Sequence, residues 1–138
     1  MRLQGKVAIV NIASDWAFVA GRAEVAYCTS KGAVLQLTRS MAVDHARQGI
    51  RINAVAPGPV WTPFWTKPGG FAETMGKVHK MPPQQAVEHE LKLRQLPLGR
   101  LGTPEEVAHV IVFLASDLAS FVTSSVWGVD GGSIRNIV

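Results

Sequence analysis

Three side chains near the start of the chain have the types and spacing for moving a proton to or from an oxygen: Ser14, Tyr27 thirteen positions later, and Lys31 four beyond that. Residues four apart on a helix share a face, so a helical 27–31 segment brings the Lys31 ammonium close to the Tyr27 phenol. A free tyrosine titrates near pH 10, too high for easy proton exchange at neutrality, and a neighbouring cation favours the phenolate. Ser14, delivered from a strand end, could then donate a hydrogen bond to a substrate oxygen while Tyr27 passes it a proton. Taken alone, the Tyr-x-x-x-Lys pair is weak evidence and reads more readily as a tyrosine at a helix start beside a surface lysine.

The elements that must position these groups are legible in the hydrophobic pattern. Residues 6–13, "KVAIVNIA", form a nearly continuous apolar run, as expected of a parallel strand covered on both faces, and the run ends at Ser14. From about Ala26 the period changes: Tyr27, Val34, Leu37, Met41 and His45 recur at threes and fours, predicting a helix of five or six turns that stops at Gly49. Residues 50–56, "IRINAVA", predict a second strand, closed by "PGP" at 57–59, whose prolines cannot donate to a ladder. "TPEEVAHVIVFLAS" predicts a helix capped reciprocally by Thr103 and Glu106, with Pro104 in its first turn and Val107, Val110, Ile111 and Leu114 as its buried stripe. A short strand within 125–132 ends in "DGG". Residues 60–100 are the least regular: Trp61, Phe64, Trp65 and Phe71 lie among Pro and Gly, followed by a helix with Val87, Leu91 and Leu96 on one face. That region reads either as a mobile cover over a site or as a packed hydrophobic connector.

Strands alternating with long amphipathic helices predict an α/β fold, a small parallel sheet of about three strands with right-handed crossovers in one domain spanning 1–138. Ligands in such sheets sit beyond the carboxyl ends of the strands, here Ser14, the 57–62 loop and "DGG". Composition narrows the function classes. The net charge of +4 comes from fourteen basic residues spread along the chain, with no basic cluster interleaved with aromatics, so nucleic acid is not the expected partner. The early apolar run breaks at Asn11 and Ser14, far short of a membrane span, and Cys28 is the only cysteine; the expectation is a soluble, cytoplasmic protein without an internal disulfide. "HELKL" at 89–93 starts like a zinc-protease helix but has Leu93 where the second histidine belongs, and no metal site is expected.

Ser14, Tyr27 and Lys31 at this spacing, the preceding "IVNIAS", the following "SKGAVLQLTRSMAVDHARQGIRINAVAPGPVWTP", and "PLGRLGTPEEVAHVIVFLASDLASFVTSSVWGVDGG" resemble the catalytic, C-terminal half of the short-chain dehydrogenase/reductase family over residues 9–132. The resemblance implies a Rossmann-like sheet and hydride transfer between NAD or NADP and a small alcohol or carbonyl. It implies Tyr27 as general acid/base, Lys31 as its tuning cation and a contact to the nicotinamide ribose, and Ser14 as the group orienting the substrate oxygen. Pro57, Gly58, Val60 and Thr62 would meet the nicotinamide end of the cofactor. Asp15, Trp16, Phe64 and Trp65 would line the substrate side, a place they could equally hold as packing residues, and Asp130 would hold the final turn.

The sequence departs from the family's pattern in its N-terminal half. "MRLQGKVAIV" looks like the family's opening strand but runs directly into "NIAS" of a later one, and none of the thirteen glycines forms a Gly-x-Gly triplet able to cradle a pyrophosphate. Losing two to four contacts of about 1–1.5 kcal/mol each would weaken cofactor binding by one to four orders of magnitude. The expectation is therefore an internally deleted or half-length member with weak or oligomer-dependent cofactor binding. The alternative is a non-catalytic paralogue or assembly module. The first strand would lack its outer neighbour, and a bare apolar edge predicts a homo-oligomer, joined there or through the faces of the 26–48 and 103–116 helices.

Overall fold

The computed structural model describes residues 7–21 and 24–135; Lys6 and the rest of the opening segment lie outside the described residues. Three parallel strands, β1 (Val7–Ile12), β2 (Ile50–Pro57) and β3 (Val126–Val129), form one sheet in the order β1-β2-β3. Val7 to Ile12 stand opposite Ile50 to Val55, and Ala54 to Pro57 opposite Val126 to Val129. Helix α1 (Val25–His45) connects β1 to β2. Helices α2 (Pro63–Thr66), α3 (Phe71–His79), α4 (Pro83–Arg94) and α5 (Pro104–Ala115) connect β2 to β3. The predicted α/β class with three parallel strands is what the chain adopts.

β2 is the central strand and is buried from Arg51 to Ala56. Its side chains alternate between two cores, as the period of a strand requires. Ala54 and Ala56 meet Leu35 and Val34 of α1 on one face. Val55 meets Leu114 on the other, beneath Val107, Val110 and Ile111 of α5. Both faces of the sheet are thus covered, which is why the strands read as apolar runs rather than alternating ones.

Helix α1 starts and stops where its sequence says, tightening into a 3₁₀ turn at Ala46–Gln48 and closing on Gly49 at φ 76°. Its buried face differs from the predicted stripe. Leu35, Thr38 and Ala42 face the core, whereas Leu37 is 54% exposed. The helix carries apolar residues on all sides, so its sequence permits more than one inward register. The one adopted is disguised by Thr38, whose hydroxyl donates to Val34 O (2.7 Å) and accepts from Asn11 Nδ2 (2.9 Å), tying α1 to β1 without leaving a buried polar atom unpaired.

Two polar residues inside β2 serve a related purpose. Arg51 donates to Leu114 O (2.8 Å) and Ser116 O (2.9 Å), satisfying carbonyls at the end of α5 with a cation where the helix dipole favours one. Asn53 donates to Val122 O and accepts from the Ser125 amide, fixing the approach to β3.

Residues 60–100 contain two helices that the sequence pattern does not announce, α2 and α3, besides the expected α4. They enclose a satellite core of Trp65, Ala72 and Val87 with Phe71, Leu91 and Leu101 against it. α3 is disguised by Gly76 in its interior. A Cβ there would lie 2.9 Å from Met81 O, so the α3–α4 turn needs that glycine despite its cost to the helix.

α5 opens with the predicted capping box: Thr103 Oγ1 accepts from the Glu106 amide (3.2 Å) and Glu106 Oε2 accepts from the Thr103 amide (2.8 Å). Arg100 adds two hydrogen bonds to the same carboxylate, of 2.6 and 3.0 Å. The Arg100 hydrogen bond first, then that of the Thr103 amide, hold the Glu106 carboxyl down to about 2. Because the folded value lies below the unfolded one, this cap contributes stability that is fully present above about pH 4.5 and is lost as pH falls through about 2. Acid titration followed by circular dichroism should show Glu106→Gln losing less stability than the parent chain over that window, with Thr103→Ala about 1 kcal/mol less stable at neutral pH. Leu114→Ala, which empties a fully buried site, should cost about 2–5 kcal/mol by urea denaturation.

Candidate active site

The carboxyl ends of β1 and β2 open into one cavity of about 670 Å³, which residues 126–132 of β3 and its turn do not line. Ser14 comes from the end of β1, where it caps a 3₁₀ turn, Asp15–Ala17, in extended backbone and accepts from the Trp16 amide (3.2 Å). Ser14 and Asp15 are both buried. The Ser14 hydroxyl donates to Asp15 Oδ1 (3.0 Å), and Ser133 Oγ donates to Asp15 Oδ2 (2.8 Å). Asp15 therefore lines the cavity with both carboxylate oxygens engaged, one of them orienting Ser14.

Tyr27 sits in the first turn of α1, 42% exposed, with its ring edge-on to Trp16 at 6.0 Å between centroids. Lys31 lies one turn further along, its Nζ 5.8 Å from the centre of the Tyr27 ring and donating to Ile12 O (3.0 Å) at the end of β1. The helix spacing thus puts cation and phenol together. That cation is anchored to the strand from which Ser14 emerges. Ser14 and Tyr27 both line the cavity, and Lys31 stands behind the phenol rather than on the wall.

The loop after β2 supplies the adjacent wall through Pro57, Gly58, Val60 and Thr62. It is held at both ends. The Gly58 amide donates to Val129 O (3.0 Å), and Val60 pairs with Gly102 in an isolated bridge, with Trp61 N donating to Gly102 O (2.8 Å). A Cβ on Gly58 would fall 2.7 Å from Asp130 Cα, so only a bare backbone lets the ends of β2 and β3 come this close. Asp130 in turn closes the final turn, accepting from the Gly132 (3.1 Å) and Ile134 (2.7 Å) amides. The Thr62 hydroxyl makes no capping bond to the four-residue α2 and remains available to a ligand.

Trp16, Phe64 and Trp65 line the remaining side, with Phe64 stacked on Phe71 at 5.3 Å. Of the candidate catalytic, cofactor and substrate residues, all line this cavity except Lys31, which stands just outside it; the "DGG" turn, expected from the sequence at the same place, does not reach the wall, because Asp130 is spent on closing its own turn. The structure adds Glu24, Pro59, Phe71, Arg94, Pro104 and Val107 to the wall. Arg94, the last residue of α4, carried no sequence signal; its guanidinium lies 5.5 Å from the centre of the Trp16 ring. Ser133 was equally hidden, 118 positions from its partner Asp15. Among the described residues no group of three or more His, Cys, Asp or Glu is arranged to hold a metal ion, and no helix is long and apolar enough to cross a membrane.

The model of a protein family described as enoyl-(acyl carrier protein) reductase matches residues 1–133. The 2-(S)-hydroxypropyl-CoM dehydrogenase 3 of Xanthobacter autotrophicus is 42% identical over 127 residues, covering 92% of this chain and 46% of that protein. Among solved structures, a short chain dehydrogenase family protein from Francisella tularensis superposes with a TM-score of 0.86 at 34% identity, over 95% of this chain and 53% of the other. An NADPH-bound short chain oxidoreductase from Pseudomonas aeruginosa gives 0.82 at 32% identity, over 97% and 48%. The chain spans about half the length of the relatives it matches. With its parallel sheet, its strand-end cavity and these likenesses, the chain belongs to the short-chain dehydrogenase/reductase family.

Proposed function

We propose that this chain carries the chemistry of an oxidoreductase that moves a hydride between NAD or NADP and an alcohol or carbonyl substrate, with Tyr27 as general acid/base. The observation that carries this reading is that Ser14 and Tyr27 open into one cavity beside the Pro57–Thr62 loop, with the Lys31 ammonium against the phenol ring. The residues present fit the nicotinamide end of such a cofactor. The bare backbone of Gly58, the apolar Pro57 and Val60, and the unspent Thr62 hydroxyl would hold it, with Tyr27 and Lys31 at the ribose. When bound, the nicotinamide supplies or accepts the hydride. The likeness to the NADPH-bound Pseudomonas protein supports the same cofactor class.

In the reducing direction, Tyr27 Oη gives its proton to the substrate carbonyl oxygen as hydride reaches the carbon, yielding an alcohol. The Lys31 charge holds the resulting phenolate, as a cation close to an anion does. Ser14 donates to the same oxygen by rotating its hydroxyl away from Asp15 Oδ1, while Asp15 keeps its bond from Ser133. Trp16, Phe64 and Trp65 give the reacting groups an apolar, aromatic wall.

The same reading places the protein in the cytoplasm, with its one cysteine, Cys28, free. It also makes a second copy of this chain the expected partner. Val25, Leu37 and Val43 are exposed on α1, and β1 is an edge strand.

Titration of NADH and NADPH by fluorescence should give saturable binding; a flat response up to millimolar cofactor would favour a non-catalytic paralogue. Tyr27→Phe should cut turnover by about a hundredfold to ten-thousandfold while leaving cofactor affinity within a few-fold. A full rate in that variant rules out the assigned proton route. Light scattering at micromolar concentration should report an oligomer, and a monodisperse monomer refutes the self-association.

A further inference from the structure

The cavity wall carries three charged side chains among the described residues, Asp15, Glu24 and Arg94. Asp15 is committed on both oxygens. Glu24, at the foot of α1, makes no described ion pair with Arg94. Arg94 itself is held from two sides. Its guanidinium lies over the Trp16 indole at 5.5 Å, and its Nε faces Glu90 Oε2 at 3.7 Å, one turn back along α4. Glu90 is divided, its other oxygen bonded to His79 Nε2 at 2.7 Å. No described hydrogen bond is made by either terminal nitrogen of Arg94. The side chain is only 26% exposed, so it is aimed and partly dried, with its donor fork unspent.

A guanidinium fixed in this way matches a planar oxyanion, to which it can donate two parallel hydrogen bonds, and partial burial strengthens each. Trp16 couples this charge to the reacting groups, since the same indole that carries Arg94 meets the edge of Tyr27 at 6.0 Å. Phe64 and Trp65 supply apolar wall around both. We infer that the substrate is an alcohol or carbonyl compound bearing an anionic group, with an apolar or aromatic body between, and that Arg94 is the residue selecting the anion.

This inference rests on the oxidoreductase reading of the same cavity, yet binding tests it apart from catalysis. Para-acetylbenzoate and its methyl ester share ketone and ring and differ in charge. Isothermal titration calorimetry on the whole chain should show the acid binding about tenfold or more tighter than the ester. Arg94→Met, which keeps an apolar side chain over Trp16, should abolish that preference while leaving ester affinity unchanged. Tyr27→Phe should keep the preference intact. Equal affinities in the parent chain, a preference that survives Arg94→Met, or no binding of either compound at millimolar concentration overturns the inference. An Arg94-dependent preference in a chain that never turns over would sustain the anion site and defeat the proposed reaction instead.

Discussion

The structure depends above all on the parallel pairing of β1 with β2, which places Ile12 opposite Val55 and lets the Ala13 amide donate to Val55 O at 2.8 Å. This register decides where two chemically important segments leave the sheet. Ser14 emerges from one strand beside Pro57 and Gly58 from the other, and a slip of one residue would turn the slipped strand inside out. Parallel ladders are not strong in themselves. What pins this one is burial on both faces, with Ala54 and Ala56 committed to α1 and Val55 to α5. Fold and site are therefore outcomes of a single alternation along β2.

Buried polar groups secure what that alternation leaves loose. Arg51 and Asn53 reach across to the segment between α5 and β3, and Asn11 reaches Thr38. Arg51 and Asn53 are bonded to carbonyls that would otherwise be orphaned at a helix end or in a loop, and Asn11 to a hydroxyl within α1. The Ser14–Asp15–Ser133 chain follows the same logic at the site itself. There the Ser14 hydroxyl is kept in place by a buried carboxylate.

Much of this was readable in the sequence because it is written at short range. The strand runs, the Thr103–Glu106 box, Gly49 and the 27–31 spacing all depend on neighbours within a few residues, where periodicity and capping chemistry apply. The ordered motifs around Ser14, Tyr27 and Lys31 carried the family beyond that. The inward face of α1 was misread because Leu37 and Leu35 are equally apolar and only the sheet chooses between them. α2 and α3 were hidden by Pro63, Gly70 and Gly76: Pro63 opens the first turn of α2 and Gly70 is the N-cap of α3, while Gly76 fits the close approach of Met81. Arg94 reaches the cavity, and Ser133 reaches Asp15 behind its wall, through contacts that no local pattern encodes.

The bond between Ser133 and Asp15 has a consequence for how the molecule comes into being. Asp15 leaves the ribosome 118 residues before Ser133, so the corner around it stays incomplete until that later segment emerges. The sheet can nucleate around β1, α1 and β2 while that corner waits for the final turn at Asp130 to dock. The Ser14–Asp15–Ser133 chain is then a late acquisition, made by a contact across 118 residues, in keeping with the slowness of distant pairings.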